Sequence, residues 1–186
     1  MGARRIDELS TARLRLRAWR PEDRDAHAAL NADPRVMEFF PATRTRAESD
    51  RGADLVEAHF GLHGFGFWVC EVKGVAPFAG LVGLNVMTID VPFLPAVEVG
   101  WRLAAAHWGK GYATEAARAC VDYAFDVLEL DEVVAVTAVQ NARSRRVMEK
   151  LGMTHDPAEN FEHPNVPVGH RLREHVLYRL RAPRER

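Results

Sequence analysis

Cysteine is almost missing from this chain: only Cys70 and Cys120 occur among 186 residues. Both fall in predicted core elements, and neither has the spacing of a metal site or a redox pair. They read as buried free thiols in a reducing compartment. No sign of charge prevails either. With 25 basic against 26 acidic residues the net charge is −1, which argues against a general nucleic-acid or membrane-surface binder. No apolar run approaches the ~20 residues that span a bilayer. Met1–Ile6 lack the apolar stretch of a secretion signal, and the sixth residue is not the Ser or Thr of a myristoylation site. No repeat, low-complexity tract or interdomain linker divides the chain. The expectation is one soluble, cytoplasmic domain over residues 1–186, its core running from about 11 to 181.

What the chain does hold is Trp108-Gly109-Lys110-Gly111-Tyr112-Ala113-Thr114-Glu115-Ala116, a glycine turn that leads into an amphipathic helix. It follows a strand-like run, Ala96-Val97-Glu98-Val99-Gly100-Trp101-Arg102-Leu103. Glycines let backbone approach a ligand closely, and a helix N-terminus adds the positive end of its dipole. A phosphorylated ligand is therefore expected at residues 109–114. Two familiar phosphate loops are excluded. Lys110 lies between the glycines with no Ser or Thr after a Gly-Lys pair, so this is no P-loop. Thr114 stands where a dinucleotide fingerprint needs a small third residue, and the strand before Gln140-Asn141 ends without an acid.

The remaining elements follow from periodicity and punctuation. Leu14, Leu16 and Ala18 alternate with Arg13, Arg15 and Arg17 as a half-buried first strand. Pro21-Glu22-Asp23 opens a helix, Asp33-Pro34 restarts the chain into a short helix that Phe39-Phe40-Pro41 ends, and a further helix runs from about Ala47 to His63. Strands are expected at Phe67–Lys73 and Phe78–Thr88, turning at Gly74, and at 96–103. In the next helix Ala116, Cys120, Tyr123 and Val127 form the apolar stripe, with Glu115, Arg118, Asp122, Asp126 and Glu129 on the polar one. A buried strand at 133–139 precedes a helix capped by Asn141 and closed at Leu151-Gly152. A His- and Pro-rich loop (155–170) leads to a last strand at roughly 171–181. The predicted order is β-α-α-β-β-β-α-β-α-β-β, an α/β (α+β) mixed sheet with helices on both faces.

This order, with Glu98-Val99-Gly100-Trp101-Arg102-Leu103, the run 108–116, and Asn141-Ala142-Arg143-Ser144-Arg145-Arg146-Val147-Met148-Glu149-Lys150-Leu151-Gly152-Met153, resembles the GNAT superfamily of N-acetyltransferases. The tail Arg173-Glu174-His175-Val176-Leu177-Tyr178 resembles the branch of ribosomal-protein alanine acetyltransferases, RimJ and RimL. The likeness implies a mostly antiparallel sheet of about seven strands. It implies acetyl-CoA as co-substrate, lying between the strand that ends at Leu103 and the strand 133–139. Backbone at Trp101 and Leu103 would pair with the pantetheine arm, and N–H groups of Gly109, Lys110, Gly111, Tyr112, Ala113 and Thr114 would hold the pyrophosphate. Ala106 departs from the Gln or Arg usual three residues before the first glycine, which removes one side-chain contact. Homodimerisation is a further implication of the likeness, with no sequence feature behind it.

Acetyl transfer to an amine needs a proton acceptor, a donor to the thioester oxygen, and stabilisation of the leaving thiolate. Glu98 sits in an otherwise apolar strand, where desolvation suits it to be a general base, directly or through water; the other reading is a structural glutamate bonded to a loop. Many members protonate the thiolate with a Tyr where this chain has Met148. The branch resembled here has Ser144, which reads either as a hydrogen-bond donor to the sulfur or as a helix residue bonding backbone. Asn141 reads as a pantetheine contact, a plain N-cap, or both. Arg143, Arg145 and Arg146 stand as phosphate ligands or solvated charges. His155, His163, His170 and His175 match no zinc spacing, so no metal is expected; His107 reads as loop packing and Tyr178 as a core residue. Phe39-Phe40-Pro41, residues 64–68 and 160–163 either wall an amine pocket or pack helices. The leading expectation is an acetyl-CoA-dependent N-acetyltransferase acting on a protein N-terminus or small-molecule amine, without membrane or direct nucleic-acid partners. The alternatives are a non-catalytic acyl-CoA-binding regulatory module and a nucleotide-binding α/β protein, the latter disfavoured by the failed glycine patterns.

Overall fold

A single nine-stranded sheet runs through the computed structural model, which describes residues 8–183. The reading of Met1–Ile6 lies outside them. In chain order the elements are β1 (Glu8–Ser10), β2 (Leu14–Arg17), α1 (Asp23–Ala32), α2 (Arg46–His63), β3 (Phe67–Val72), β4 (Ala76–Val86), β5 (Val97–Leu103), α3 (Tyr112–Asp126), β6 (Glu132–Ala138), α4 (Ala142–Leu151), β7 (Thr154–His155), β8 (Phe161–Glu162) and β9 (Glu174–Arg181). The strands stand in the order β1-β2-β3-β4-β5-β6-β9-β7, with β8 also on β9. Every pairing is antiparallel except β5 with β6. The mostly antiparallel mixed sheet was expected; the strand count was about seven. Beyond the six strands that the sequence located by range, the structure adds β1, which forms a hairpin with β2, and the two-residue strands β7 and β8, too short to carry an alternation signal.

The one parallel pairing is brief. Glu98 of β5 is in register with Val134 of β6, and no further partners follow. By contrast β4 pairs with β5 over the whole length of β5, Val86 with Val97 through Gly80 with Leu103. Beyond Glu98 the outer edge of β5 is therefore left without a neighbouring strand. Successive side chains of β5 point to opposite faces. Val99 and Leu103 join the core with Ala116, Cys120 and Tyr123 of α3 and Met148 and Leu151 of α4. Glu98, Gly100 and Arg102 share the other face, which α1 and the segment after it cover. Among the described residues no helix is long and apolar enough to cross a membrane.

Three local expectations are corrected. Ala18 is exposed and Arg17 is buried, at 4% exposure. The alternation breaks because Arg17 is pulled inward by Asp23, which takes both its Nη atoms at 2.8 Å, and by Glu71 at 3.1 Å. Residues 33–40 make a run of turns rather than a short helix. There the Asp33 carboxylate accepts from the backbone N–H and guanidinium of Arg35, a local bond that competes with helix formation. Val127 is 42% exposed because α3 stops at Asp126, where the N–H groups of Val127 and Leu128 both turn back to Tyr123 O.

Candidate active site

A cavity of about 850 Å³ opens where β5 and β6 part. Its walls include Glu98, Trp101 and Leu103 of β5, Gly109, Gly111, Tyr112, Ala113 and Thr114 of the glycine turn, and Asn141 and Ser144 of α4. Two distant stretches of sequence thus meet at one gap. Lys110 is the one position of the turn that does not line it.

The turn is built for backbone donation. Gly109 and Gly111 adopt φ of 72° and 81°, a region that glycine enters without a Cβ penalty. Gly111 is the N-cap of α3, and no side chain caps that end. The first-turn N–H groups of Tyr112, Ala113 and Thr114 therefore lack the partner a Ser or Asp cap would give, and the dipole adds to their pull on an anion. Arg13, from the β1–β2 hairpin, braces the loop from outside. It donates to Lys110 O at 3.0 Å, lies over the Tyr112 ring at 4.8 Å, and pairs with Glu115 at 2.6 Å. Glu115 is a tether rather than part of a solvated face, since it also takes Thr11 Oγ1 at 2.6 Å and Arg13 N at 3.0 Å. Burial alone would raise its pKa, but those hydrogen bonds outweigh the burial and hold it below the usual carboxylate value. The Leu103 carbonyl is taken by Trp108 Nε1 at 2.8 Å, which ties the end of β5 to the turn.

Glu98 is half-buried on the cavity wall. Desolvation, with no charge or hydrogen bond to offset it, pushes its carboxyl up to about 7. The group is thus poised to hold or release a proton near neutrality. Gly100, two residues along, gives up its Cβ position to the ring of Phe67. A Cβ there would stand 2.9 Å from Phe67 Cζ and 4.0 Å from Glu98 Oε1.

At the start of α4, Asn141 Oδ1 accepts from Ser144 N at 3.2 Å as the N-cap. With the amide oriented by that bond, Nδ2 donates to Thr137 Oγ1 at 2.9 Å and to Ser144 Oγ at 3.1 Å. A hydroxyl that accepts from an amide keeps its own proton to give. Met148, in place of the family's usual Tyr, is buried at 2% exposure and has no proton to offer. Tyr178 is a core residue, bonded to Arg145 and Glu149 and stacked on His155. Arg145 turns away to Tyr178 and Val139 O, while Arg143 and Arg146 line the cavity. Arg143 stacks 4.4 Å from the Trp108 ring and pairs with Glu38. Of the four histidines from 155 to 175, His163 and His175 meet with ring centroids 4.7 Å apart on the cavity wall; among the described residues no group of three potential ligands could hold a metal ion.

Sequence reasoning overlooked most of the wall opposite the glycine turn. His27, Arg44, Gly52 and Arg102 line the same cavity, beside Phe39, Phe40 and Pro41, which the sequence offers as a pocket wall. Arg102 had one available signal: it lies four residues beyond Glu98 on a strand, hence on the same face. Nothing local marks His27 or Arg44, which reach the site only through packing of α1 on α2.

These elements recur in known proteins. The acetyltransferase (GNAT) domain family matches residues 13–154. The uncharacterized protein YkkB of Bacillus subtilis is 34% identical over 149 residues, covering 78% of this chain and 84% of its own length. The FsC-acetyl coenzyme A-N(2)-transacetylase of Aspergillus fumigatus is 36% identical over 154 residues, or 79% of this chain; the match spans 65% of that longer protein. Among solved structures, the acetyltransferase of Agrobacterium tumefaciens superposes with a TM-score of 0.76 at 29% identity, covering 95% of both chains. The fold likeness extends to Mycobacterium smegmatis RimJ in complex with CoA-disulfide, with a TM-score of 0.71 at 20% identity over 91% of this chain and 82% of that one. On the domain match and the relatives together, the chain belongs to the GNAT family of acetyltransferases, enzymes that use acetyl-CoA as donor.

Proposed function

We propose that this enzyme moves the acetyl group of acetyl-CoA to a primary amine by direct transfer within a ternary complex. The carrying observation is Glu98: a desolvated carboxyl, titrating near neutrality, on the cavity wall. The residues present fit the donor. The uncapped N-terminus of α3 and the positive-φ glycines suit a pyrophosphate, and the unpaired edge of β5 suits a strand-like pantetheine arm. Trp101, Leu103 and Asn141 would hold that arm, and residues 109–114 the phosphates.

In this reading Glu98 takes the proton of the acceptor ammonium, directly or through one water, so that the amine lone pair is free to attack. Backbone N–H groups near Leu103 hold the negative charge that builds on the thioester oxygen. Ser144 donates its free proton in a hydrogen bond to the departing sulfur. Full protonation is unnecessary, because a thiol with a pKa of about 8.5 leaves readily. Arg143 and Arg146 stand near enough to the gap to meet the donor's phosphates.

The test is Glu98→Gln. We expect roughly a 10²–10⁴-fold loss of kcat/KM with CoA affinity unchanged. In the parent enzyme kcat/KM should rise with pH and level off above about 7, since the base works deprotonated. Retained turnover in the variant, or a flat profile across pH 6–8, would exclude Glu98 as the base.

A further inference from the structure

Arg102 is a half-buried cation that forms no ion pair among the described residues. Its Nε is enclosed with no hydrogen-bond partner. What its guanidinium meets is soft: Met37 Sδ at 3.7 Å and the face of Phe40 at 5.2 Å. Desolvation, and then the nearby Arg44, lower its pKa to about 10. Burying a guanidinium this way costs free energy that neither a thioether nor a ring returns. Such a group calls for an explanation outside the fold's own bonds.

Its surroundings are cationic by construction. Arg44 stands at the rim of the same wall, where Gly52 of α2 makes room: a Cβ on Gly52 would lie 3.3 Å from Arg44 Nη1 and 3.8 Å from His27 Cε1. The carboxylates within electrostatic reach are committed elsewhere. Glu48 is bound into the cap of α2 at Thr45, Asp50 is paired with Arg46, and Asp33 with Arg35. His27 is driven down to about 4 by burial, then by Arg102 and Arg44, so it adds a neutral ring and an unpartnered Nδ1. Among the described residues no acid forms an ion pair with Arg44 or Arg102.

Glu98 is the cavity's remaining candidate partner, and it is set apart. Glu98, Gly100 and Arg102 lie on one face of β5, with about 13 Å of strand between the first and the last. The Glu98 carboxyl is shifted by desolvation alone, with no contribution from Arg102. Between them the Phe67 ring packs against Gly100, and both line the cavity.

We infer that the acceptor is a small primary amine that also carries a carboxylate, the amine lying at Glu98 and the carboxylate on the guanidinium of Arg102, with Arg44 at the entrance. This rests on the acetyl-transfer reading above and names its substrate class. A guanidinium fork matches a carboxylate in two parallel hydrogen bonds, and in a water-poor pocket such pairs discriminate strongly. The spacing favours an amine and a carboxylate separated by several bonds over an α-amino acid.

The experiment measures binding of β-alanine, 4-aminobutyrate and 6-aminohexanoate against propylamine, butylamine and hexylamine, by calorimetry with and without CoA, followed by thiol release with acetyl-CoA. The expected result is a preference of about 10–100-fold for at least one acid over its neutral counterpart. Arg102→Gln should erase that preference and leave CoA affinity unchanged. Arg44→Gln, at an exposed position, should reduce it by a smaller factor and serves if Arg102→Gln does not fold. Equal binding of acids and neutral amines overturns the inference, as does binding of no acid at millimolar concentration. An unchanged preference in Arg102→Gln overturns it too, and so does a matching loss of CoA affinity, which would assign Arg102 to the donor. If the parent protein fails to bind CoA, the acetyl-transfer reading falls. The anion-binding arm, run without CoA, then still decides the pocket.

Discussion

Two arginines turn inward from the sheet, Arg17 fully buried and Arg102 half-buried on the cavity wall, and they are treated in opposite ways. Arg17, on β2, receives Asp23 on both Nη atoms, Glu71 on Nε, and the carbonyls of Ala18 and Pro77. Arg102, on β5, receives a sulfur and an aromatic face. The first is a closed account of donors and acceptors at the edge of the sheet, tying the β2 strand to the start of α1. The second is open, and it is open toward the cavity. Where a buried charge is fully matched it fixes the chain; where it is left unmatched beside a void it is available to something that is not the chain.

The sharpest way to break this comparison is Asp23→Ala. Stripping the partner from Arg17 leaves a buried charge uncompensated, and the expected loss is about 3–5 kcal/mol in denaturant unfolding. A loss below about 1 kcal/mol would put the two arginines in one class. Glu98 extends the comparison to an unmatched acid. Its folded pKa, about 7, is above the ordinary 4.5. Its contribution to stability is therefore full below about 4.5 and fades as pH rises through about 7. Glu98→Gln should accordingly stabilise the fold by about 1–3 kcal/mol at pH 8 and much less at pH 5, read from thermal or denaturant midpoints. The smallest effect is expected at Arg102→Met, which removes a poorly paired charge and keeps much of the volume. Stability should stay level or rise by about 1 kcal/mol, while binding of carboxylate-bearing amines falls. A marked destabilisation would mean that Arg102 is matched in some way its contacts do not reveal.

The same contrast explains what could be read from the chain alone. The donor side was legible because backbone does its work: Gly109, Gly111, a helix start at Tyr112, and Asn141 opening α4 are contiguous signals, and the observed boundaries fall within a few residues of those expected. Glu98 stood out as an acid amid apolar neighbours. The acceptor side was not legible, because its members are assembled by tertiary packing. Arg44, His27 and Gly52 come from separate segments, and none has a local pattern that distinguishes it from a surface or core residue; the aromatic run Phe39-Phe40-Pro41 alone hinted at that wall. Arg17 misled for a related reason. Strict alternation assigned it to solvent, but a carboxylate six residues ahead overrides periodicity once α1 folds back onto the strand. Short strands such as β7 and β8 exist only because β9 is already there to receive them.

The lone bridge between Glu98 and Val134 has a mechanical meaning as well. It makes β1–β5 and β6–β9 two plates held by a single rivet, with α3 as the strap between them. A donor lying along the open seam in strand fashion, as proposed, would be shared by both plates, so that loading the enzyme would also stiffen it. At a hundredfold excess over its dissociation constant such a ligand adds about 2.7 kcal/mol to the folded state. The durability of the enzyme would thereby be coupled to the supply of its own donor. When that supply falls, amide exchange along residues 100–103 should be the first place the slackening registers.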